Sequence, residues 1–403
     1  MISLQNGIVP GLDRFMSEGL PAIRGARLGV CCHPAAVDLQ LRGLPERLRS
    51  SGVTVSRYFA PEHGLHGQLQ DMELVTSTEP EVISLYGSTE ESLRPVVSSI
   101  SDLDVILFDL RDIGTRYYTF ADTMKYMLEA VSETDTRMII LDRPCPIGGD
   151  KVEGGIVQPG FDSFVGALPV SVRHGMTLGE LARFMTTELG ISADVEIIPC
   201  SGWQRHQRHE QTGLPWVLPS PNMPSPETAL IYPGMCLVEG TTLSEGRGTT
   251  LPFHLVGAPY LSGQEFADCA TGLAKDLDLK GVLFRPVTFV PGIQKHRGET
   301  CQGIQVHVTS ADDLHSLLLG MVVITAAALT SGSKFQWRTE EYEFVTEPIA
   351  IDLLWGAADF RETVDRLRNS GGDPAQALEG LLRSRESERL MFIEQRESCL
   401  LYP

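Results

Sequence analysis

Between residues 25 and 150 the chain alternates between two patterns of apolar residues. Short runs rich in Val, Ile and Leu are typical of buried strands, and the longer segments between them space their apolar residues as a helix does. The predicted strands are RLGVCCHP, VTVSRYFAPEHG, EVISLYG, LDVILFDLRDIG and RMIILDRP, and the predicted helices are LPERLRSSG and YYTFADTMKYMLEAVSE. This alternation predicts an open parallel sheet with right-handed crossovers, which is an α/β domain of Rossmann-like form.

The pattern changes after a Gly- and Pro-rich stretch near residue 150. A helix is predicted to start at Thr177, where Glu180 completes a capping box, and to stop at Gly190. Further strands are predicted at VEIIPC, VLFRPVTFV and GIQVHVTS, a helix at 314–330 and a helical stretch at 374–400. We therefore predict a Rossmann-like domain over residues 1–160 and a smaller α+β domain over residues 161–403.

Two segments of the second part are too rich in Gly and Pro for core elements. They are LPSPNMPSPETALIYPG, at 218–234, and LVEGTTLSEGRGTT, at 237–250. Runs of this kind typically hold an extended path without helix or ladder. We predict that residues 218–250 form cleft-lining loops, and plain connectors are the alternative.

The composition narrows the possible functions. With 403 residues, 42% of them hydrophobic, the chain is long enough for a large core, and its net charge of −19 argues against binding to nucleic acid or to an anionic membrane surface. The apolar stretch 314–330 is shorter than the about 20 residues of a bilayer span, which favours a buried helix. The N-terminus shows no secretory pattern, so we predict a cytoplasmic protein, or a secreted one if a leader was trimmed.

The sequence lacks the motifs that usually hold nucleotides or activate a serine. No GxGxxG follows the first predicted strand, no GxxxxGK[ST] occurs anywhere, and no serine lies in GxSxG. The eight cysteines include no CxxC pair, which is typical of buried reduced thiols. We expect neither a dinucleotide site nor an α/β-hydrolase esterase.

Three of the predicted strands end on or near an acidic residue. Glu62 follows the second strand, Asp109 lies at the end of the fourth, and Asp142 follows the fifth. Because the carboxyl ends of parallel strands line one edge of a sheet, where ligands bind, the three acids together predict a polar pocket. Each acid taken singly has the alternative role of a helix cap or a turn residue.

The segment FDLRDIGTRYYT places side chains suited to a sugar close together. Asp109 and Asp112 can hydrogen-bond hydroxyl groups, Arg116 offers a bidentate donor, and Tyr117 offers an apolar face to a sugar ring. The alternative is that Asp112 and Arg116 pair with each other across one helical turn.

Glu239 and Glu245, each followed by Gly, add two carboxylates in the second predicted loop. Glycoside hydrolysis usually needs one protonated carboxyl group for the leaving oxygen and one ionised carboxylate that activates water or attacks carbon. Glu62 from the first domain and Glu239 or Glu245 from the second are our candidates for such a pair.

His63 and His66 form an HxxH pair beside Glu62, and His206 and His209 form another. Neither pair has a third ligand in its own element, and the HExxH order of zinc peptidases is absent. We therefore predict no metal, with a metal-dependent hydrolase that uses His63 and His66 as an alternative.

Six longer motifs resemble the successive signatures of one family. They are FAPEHGLHG, ILFDLRDIGTRYYTF, LDRPCPIGG, SVRHGMTLGELA, GLPWVLPSPNMPSPETALIYPG and LVEGTTLSEGRGTT followed by LPF. In these motifs the chain resembles the DUF1343 family over nearly its whole length. It departs from the family pattern at His33 and Cys145, where the family often has Asn, and at Leu251, where it has Arg.

The resemblance implies a glycosidase that needs no cofactor, with its cleft between a Rossmann-like domain and a smaller α/β domain. The family's characterised members are exo-acting β-N-acetylmuramidases, which implies release of N-acetylmuramic acid from the non-reducing end of peptidoglycan-derived fragments. It also favours Glu62 as the catalytic acid, and we assign His63 and Glu239 to the catalytic site with it. The residues assigned to substrate binding are Asp109, Asp112, Arg116, Tyr117, Asp142, Arg143, Arg173, His174, Asn222, Glu245 and Arg247.

The 3-O-lactyl group of muramic acid carries a carboxylate, so an acidic protein must supply local positive charge to bind it. Arg116, Arg143, Arg173 and Arg247 lie in the family-like motifs, and the planar fork of arginine suits a carboxylate. We expect at least one of them to face the lactyl group, and pairing with nearby acids is the alternative. A sugar-binding protein without turnover is the alternative function.

Overall fold

A parallel sheet dominates the first part of the computed structural model, which describes residues 7–70, 73–74 and 82–403. Its strands are β1 Leu28–Cys32, β2 Val55–Ala60, β3 Val82–Ser84, β4 Val105–Asp109, β5 Arg137–Leu141 and β6 Val195–Ile198. They lie in the order β3-β2-β1-β4-β5-β6, and each neighbouring pair is parallel. This is the strand order of doubly wound folds, so the predicted Rossmann-like architecture is confirmed.

Two sequence predictions fall partly outside the described residues. One is the absence of a secretory pattern, which includes residues 1–6, and the other is the third strand, which includes Glu81. Within the rest of that predicted strand, Val82–Ser84 is confirmed as β3.

The helices flank the sheet and make up much of the second part of the chain. They are α1 Gly11–Arg14, α2 Leu44–Ser50, α3 Phe120–Val131, α4 Leu178–Thr187, α5 His209–Thr212, α6 Pro226–Met235, α7 Gly263–Asp276, α8 Ser316–Thr330, α9 Ala350–Trp355, α10 Asp359–Ser370, α11 Pro374–Ser384 and α12 Glu386–Glu397. Helix α4 begins with the predicted capping box: the Thr177 hydroxyl accepts from the Glu180 N–H, and the Glu180 side chain accepts from the Thr177 N–H.

Alternate residues of the central strands face two separate apolar clusters. Val30 and Leu107 pack with Leu48 of α2 on one face of the sheet. Phe108 packs on the other face with Met124 of α3. Because helices cover both faces, β1 and β4 are buried along their whole length, which explains their nearly continuous apolar sequences.

A second, smaller sheet follows, as predicted. Its strands are β7 Leu255–Ala258, β8 Val282–Phe289 and β9 Cys301–Val308, and they pair antiparallel in the order β7-β9-β8. Helix α8 has 15 residues and is buried over nearly its whole length, which confirms the predicted core helix. In the part of the chain that the structure describes, no helix is long and apolar enough to cross a membrane.

The parallel sheet extends further along the chain than we predicted. The segment VEIIPC, which we placed in the second domain, forms edge strand β6 and pairs with β5 from Met138 opposite Val195 to Leu141 opposite Ile198. The sheet therefore continues beyond residue 160, our predicted end of the first domain. The irregular path between β5 and α4 hides this continuity, because it breaks the regular alternation of strand and helix.

We predicted an extended path for the Pro-rich segment 218–234. This prediction is wrong for the second half of the segment, which forms helix α6. Ser225 caps this helix by accepting a hydrogen bond from the Thr228 N–H, and Pro226 occupies the first helical turn. Proline is favoured there because its missing N–H would have no partner within the helix. The serine and proline that we read as loop residues are thus the start signal of a helix.

The C-terminus returns to the parallel sheet and meets Asp142. This buried carboxylate accepts hydrogen bonds from the Thr177 hydroxyl at 2.7 Å and the Gly179 N–H at 2.8 Å, both at the start of α4, and from the Tyr402 hydroxyl. Burial raises the pKa of Asp142 to about 6, although these hydrogen bonds oppose the rise. Asp142 therefore joins the sheet, α4 and the C-terminal tail.

Asp142→Asn tests this raised pKa. The folded carboxyl group keeps its proton to a higher pH than the unfolded one, whose ordinary pKa is 3.8. Between about pH 4 and 6 the folded state thus binds more protons, and its stability falls as the pH rises through that window. We expect the unfolding free energy of the wild type, relative to that of the variant, to fall from pH 4 to pH 7 in urea titrations. A difference that is constant or rises would contradict the assignment.

Helices α6 and α8 cross at Gly234 and Gly320. A Cβ atom on Gly320 would lie 2.0 Å from the carbonyl oxygen of Gly234, so the helices can approach this closely only without side chains. We expect Gly320→Ala to lower the unfolding free energy by about 2 kcal/mol or more, as overpacking does. The matched control is Gly272→Ala on α7, where a Cβ atom meets nothing within 4 Å. We expect this variant to raise the unfolding free energy by up to about 1 kcal/mol, because alanine has the higher helix propensity. Urea midpoints of the two variants decide this, and equal midpoints would contradict it.

Candidate active site

The chain turns sharply after β2, and this turn holds Glu62 and His63. His63 has φ +68° and Gly64 has φ +79°, a backbone region that favours glycine. Glu62 is buried, and its Oε2 accepts a hydrogen bond of 2.6 Å from the Thr119 hydroxyl. His63 Nδ1 donates to the carbonyl oxygen of Leu69 at 2.9 Å. These two hydrogen bonds fix the side chains on which the predicted chemistry depends.

Both side chains line a narrow cavity of about 30 Å³. Its lining residues are Glu62, His63, Tyr117, Tyr118, Thr119, Phe120, Val165, Ser220, Asn222, Met223, Tyr232, Glu239, Arg247, Phe253, Tyr342 and Glu343. Of the residues predicted from sequence, the structure brings Glu62, His63, Tyr117, Asn222, Glu239 and Arg247 together here. The cavity thus combines parts of the chain that lie before and after residue 160, with several contributions from segment 218–250.

A chain of ion pairs begins at one wall of the cavity, where Glu239 and Arg247 are lining residues, and continues behind it. Arg247 Nη2 lies 2.5 Å from Glu239 Oε1, and Arg247 Nε lies 3.0 Å from Glu245 Oε1. Lys295 Nζ lies 2.8 Å from the other oxygen of Glu245, and the Tyr342 hydroxyl donates to Glu239 Oε2 at 2.8 Å. Burial alone would raise the pKa of Glu245, but Lys295 and Arg247 hold it below its ordinary value.

Aromatic rings form a second wall. The Tyr232 ring lies edge-on to Phe253 at 4.9 Å and to Tyr118 at 5.8 Å between ring centroids, and Tyr117 lies beside it at 6.0 Å. The Tyr117 hydroxyl donates to the carbonyl oxygen of Pro233. Burial raises the pKa of Tyr118, so its hydroxyl keeps its proton. Aromatic faces beside carboxylates suit a sugar, which has apolar ring faces and polar edges.

Asp109 lies away from the cavity lining, although it also ends a strand. Its two oxygens lie 2.5 Å from Arg143 Nε and 2.7 Å from Arg143 Nη2, and both side chains are buried. Arg143 Nη2 also donates to the carbonyl oxygen of Val37. Asp142 likewise lies outside the cavity lining, where it accepts hydrogen bonds from the start of α4 and from Tyr402. Of the three strand-end acids, Glu62 lines the cavity.

Arg116 holds backbone carbonyl groups outside the cavity. Its Nη1 donates to Gly155 at 3.0 Å and Val170 at 3.2 Å, and its Nη2 donates to Leu354 at 2.7 Å. The predicted alternative partner, Asp112, instead accepts from the Gly114 N–H at 2.6 Å. These contacts connect the segments around residues 155 and 170 with α9.

Arg173 and His174 are also buried away from the cavity lining. Arg173 Nη1 donates to Glu153 Oε1 at 2.9 Å, and Glu153 Oε2 lies 3.1 Å from His315 Nδ1. Burial alone would raise the pKa of Glu153, but His315 and Arg173 hold it well below its usual range. His174 Nε2 lies 3.6 Å from Asp112 Oδ2.

The three departures from the family pattern occupy different environments. His33 Nε2 accepts the Arg111 N–H at 2.8 Å, while Nδ1 lies 3.3 Å from the Pro219 carbonyl oxygen. Burial lowers the pKa of His33 to about 3, so the ring is neutral at pH 7. Cys145 is buried, and Leu251 is 36% exposed.

Sequence reasoning missed Thr119, Tyr342 and Glu343 among the cavity residues. Thr119 follows the tyrosine pair that we singled out and directly precedes α3, so its place in that motif was a usable signal. Tyr342 and Glu343 come from a polar segment between α8 and α9 that carries no motif. Their proximity to Glu62 depends on the tertiary fold.

The histidine pair beside Glu62 is split by the fold. His63 lines the cavity, whereas His66 is exposed. Among the residues that the structure describes, no three His, Cys, Asp or Glu side chains lie close enough together to hold a metal ion. That the protein needs no metal stays a prediction.

Three known proteins resemble this chain along nearly its whole length. The peptidoglycan beta-N-acetylmuramidase NamZ of Bacillus subtilis (strain 168) is 35% identical over 398 residues, which cover 97% of this chain and 91% of that protein. A DUF1343 family protein from Bacteroides fragilis NCTC 9343 has a crystal structure with a TM-score of 0.84 and 28% identity, covering 99% of this chain and all of that one. A second such protein from the same strain has a TM-score of 0.71 and 25% identity, covering 98% and 99%.

The family models agree with these likenesses. The model for the N-terminal part of exo-beta-N-acetylmuramidase NamZ matches residues 28–227, and the model for its C-terminal part matches residues 230–402. The meeting point of the two models lies at the start of α6, between Asn222 and Glu239 of the cavity. The chain therefore belongs to the exo-beta-N-acetylmuramidase NamZ family.

Proposed function

We propose that the chain is an exo-acting glycoside hydrolase that releases N-acetylmuramic acid from the non-reducing end of peptidoglycan-derived sugar fragments. The B. subtilis relative is named as a peptidoglycan beta-N-acetylmuramidase, and its similarity to this chain covers 97% of the chain. The observation that carries the proposal is the position of Glu62, which is buried at the cavity and held by Thr119. A buried carboxyl group next to polar and aromatic side chains suits general-acid catalysis.

Glu62 is the proton donor in this proposal. As the bond between C1 and the glycosidic oxygen breaks, the electron pair stays on that oxygen and the proton of Glu62 joins it, so the rest of the fragment leaves as an alcohol. Positive charge develops at C1 as this bond breaks. Glu239, which lines the same cavity as Glu62, supplies the negative charge that stabilises it. Arg247 and Tyr342 hold both oxygens of Glu239 in place.

Three further residues are assigned to the sugar. His63 uses Nδ1 for Leu69, so we assign Nε2 to a sugar hydroxyl. Asn222 Nδ2 donates to Gln70 Oε1 at 2.9 Å, so we assign its carbonyl oxygen to a hydroxyl or amide donor. Tyr117 lies on the aromatic wall, so we assign its ring to contact with the sugar.

The other predicted binding residues have a supporting role in this proposal. They lie outside the cavity lining in buried contacts of their own, and they are Asp109, Asp112, Arg116, Asp142, Arg143, Arg173, His174 and Glu245. Buried ion pairs and arginine–carbonyl contacts of this kind fix the positions of neighbouring segments. A cytoplasmic location and the absence of a cofactor remain predictions.

Glu62→Gln tests the proton donor. We expect it to lower kcat by about 10²- to 10⁴-fold on a β-N-acetylmuramide with a poor leaving group, because the amide cannot donate the proton. The unfolding midpoint should stay near that of the wild type, since Gln can still accept from Thr119. Release of N-acetylmuramic acid is measured directly, with Glu46→Gln on the exposed surface of α2 as the matched control.

Near-normal turnover by Glu62→Gln would assign the acid role to another group. A wild type that binds the muramide without releasing it would instead establish the non-catalytic sugar-binding protein. Activity that is lost on chelation and restored by zinc alone would establish the metal-dependent alternative with His63 and His66.

Arg247 is the arginine expected to meet the lactyl carboxylate, because it alone of the four candidates lines the cavity. Arg247→Lys keeps the charge but removes the planar fork, so we expect KM for the muramide to rise about tenfold while KM for the glucosaminide changes little. Arg361→Lys is the matched control, since Arg361 pairs with Asp352 outside the cavity. Steady-state kinetics on both sugars give the ratio, and an unchanged preference for the muramide would refute this assignment.

A further inference from the structure

Glu343 is a buried carboxylate of the cavity to which the mechanism above gives no role. It is 2% exposed, lines the same cavity as Glu62, and accepts a hydrogen bond of 2.9 Å from the Tyr86 hydroxyl. Tyr86 follows β3 of the parallel sheet, whereas Glu343 lies between α8 and α9. The two residues thus meet across the parts of the chain that form the cavity.

The backbone around Glu343 is unusual for these residue types. Tyr342 and Val345 exchange two backbone hydrogen bonds of 2.9 and 3.0 Å, so the four residues form a tight hairpin turn. Both central residues have positive φ, +48° at Glu343 and +67° at Phe344. A turn with two positive φ angles normally has Asn-Gly or Asp-Gly in the centre, because side chains with more than a short polar group are strained there.

The same strain recurs at other points of the cavity. His63 has φ +68° and Phe253 has φ +65°, and both line it together with Glu343. Non-glycine residues in this region cost free energy and persist where the surroundings hold them, which is typical of functional sites. The turn around Glu343 therefore places a glutamate against the cavity at a cost that a glycine would avoid.

The other cavity glutamate of the second part is committed to an ion pair. Glu239 contacts the Arg247 guanidinium through Oε1 and the Tyr342 hydroxyl through Oε2. Glu245 in turn holds the Arg247 guanidinium through Oε1 and pairs with Lys295 through Oε2. Moving Glu239 to accept a proton would disrupt this chain, which suits Glu239 to a fixed negative charge better than to proton transfer.

We propose that Glu343 is the second catalytic carboxylate and acts as the general base. This inference rests on the proposed function and identifies the partner of Glu62. A water molecule attacks C1 and its proton passes to Glu343, while the C1–O bond breaks and the leaving oxygen takes the proton of Glu62. Glu343 ends protonated and Glu62 ionised, and exchange of one proton with water restores both. Tyr86 is a positioning residue that orients Glu343 Oε2.

Two substitutions of Glu343 test this role. Glu343→Gln keeps the shape and an acceptor for Tyr86, so we expect the unfolding midpoint to hold while kcat falls about 100-fold or more and KM changes less than about threefold. Glu343→Ala should lose activity too, and azide should restore part of it on an aryl β-N-acetylmuramide. Azide needs no base because it carries no proton to remove, so the product is the glycosyl azide. Glu341→Gln, exposed and two residues away, is the matched control.

The outcomes separate this inference from the proposed function. A wild type that does not release N-acetylmuramic acid refutes the proposed function itself. If the wild type is active, Glu343→Gln with kcat within about fivefold of it refutes the role of Glu343 alone. A rise in KM without a loss of kcat, or a loss of activity that azide does not relieve, also overturns the assignment, since either result makes Glu343 a binding or structural residue.

Discussion

The structure depends on the ion pairs and hydrogen bonds that compensate for the burial of its carboxylates. A charge removed from water costs several kcal/mol unless ion pairs or hydrogen bonds compensate for it. The parallel sheet delivers Glu62, Asp109 and Asp142 to the same edge, so the surrounding chain must supply partners for all three. Arg143 matches both oxygens of Asp109, and three hydroxyl or amide donors meet Asp142. Glu62, in contrast, accepts a hydrogen bond from the neutral hydroxyl of Thr119 and lines the cavity.

The partners also explain why the fold was easier to predict than the site. Strands β1, β4 and β5 are apolar enough to be recognised singly, and the capping box at Thr177 is a local signal. The fate of Asp142, by contrast, is decided by Tyr402, which lies 260 residues away in the chain. Whether a strand-end acid is catalytic or structural thus depends on contacts that the local pattern does not contain.

Two backbone features near the cavity were also not predicted from the sequence. Glu343 lies in a turn whose residue types are those least suited to positive φ, so turn propensities do not reveal it. Helix α6 was missed for the opposite reason, since its Ser-Pro start signal lies in a segment whose composition suggests a loop. At Glu343, packing against the rest of the molecule overrides local preference, whereas for α6 the local signal was present and we misinterpreted it.

The contacts outside the cavity indicate where room for a sugar must come from. A cavity of about 30 Å³ holds about one water molecule, so a sugar requires the walls to move. Arg116 ties the segments around residues 155 and 170 to Leu354, and Glu153 ties Arg173 to the start of α8 through the Leu317 N–H at 2.8 Å. These buried contacts hold the two parts of the chain together away from the cavity.

At the cavity itself, the contact between the two parts is of a different kind. The Tyr86 hydroxyl meets Glu343 there, and the Tyr117 hydroxyl meets the carbonyl oxygen of Pro233. The ion pairs of Glu239 and Glu245, in contrast, stay within the second part. Breaking a hydrogen bond costs about 0.5–1.5 kcal/mol, or about 1.5–3 kcal/mol when one partner is charged, whereas breaking a buried ion pair costs about 3–5 kcal/mol. The hydrogen bonds that join the two parts at the cavity are therefore weaker, one for one, than the ion pairs that stay within the second part.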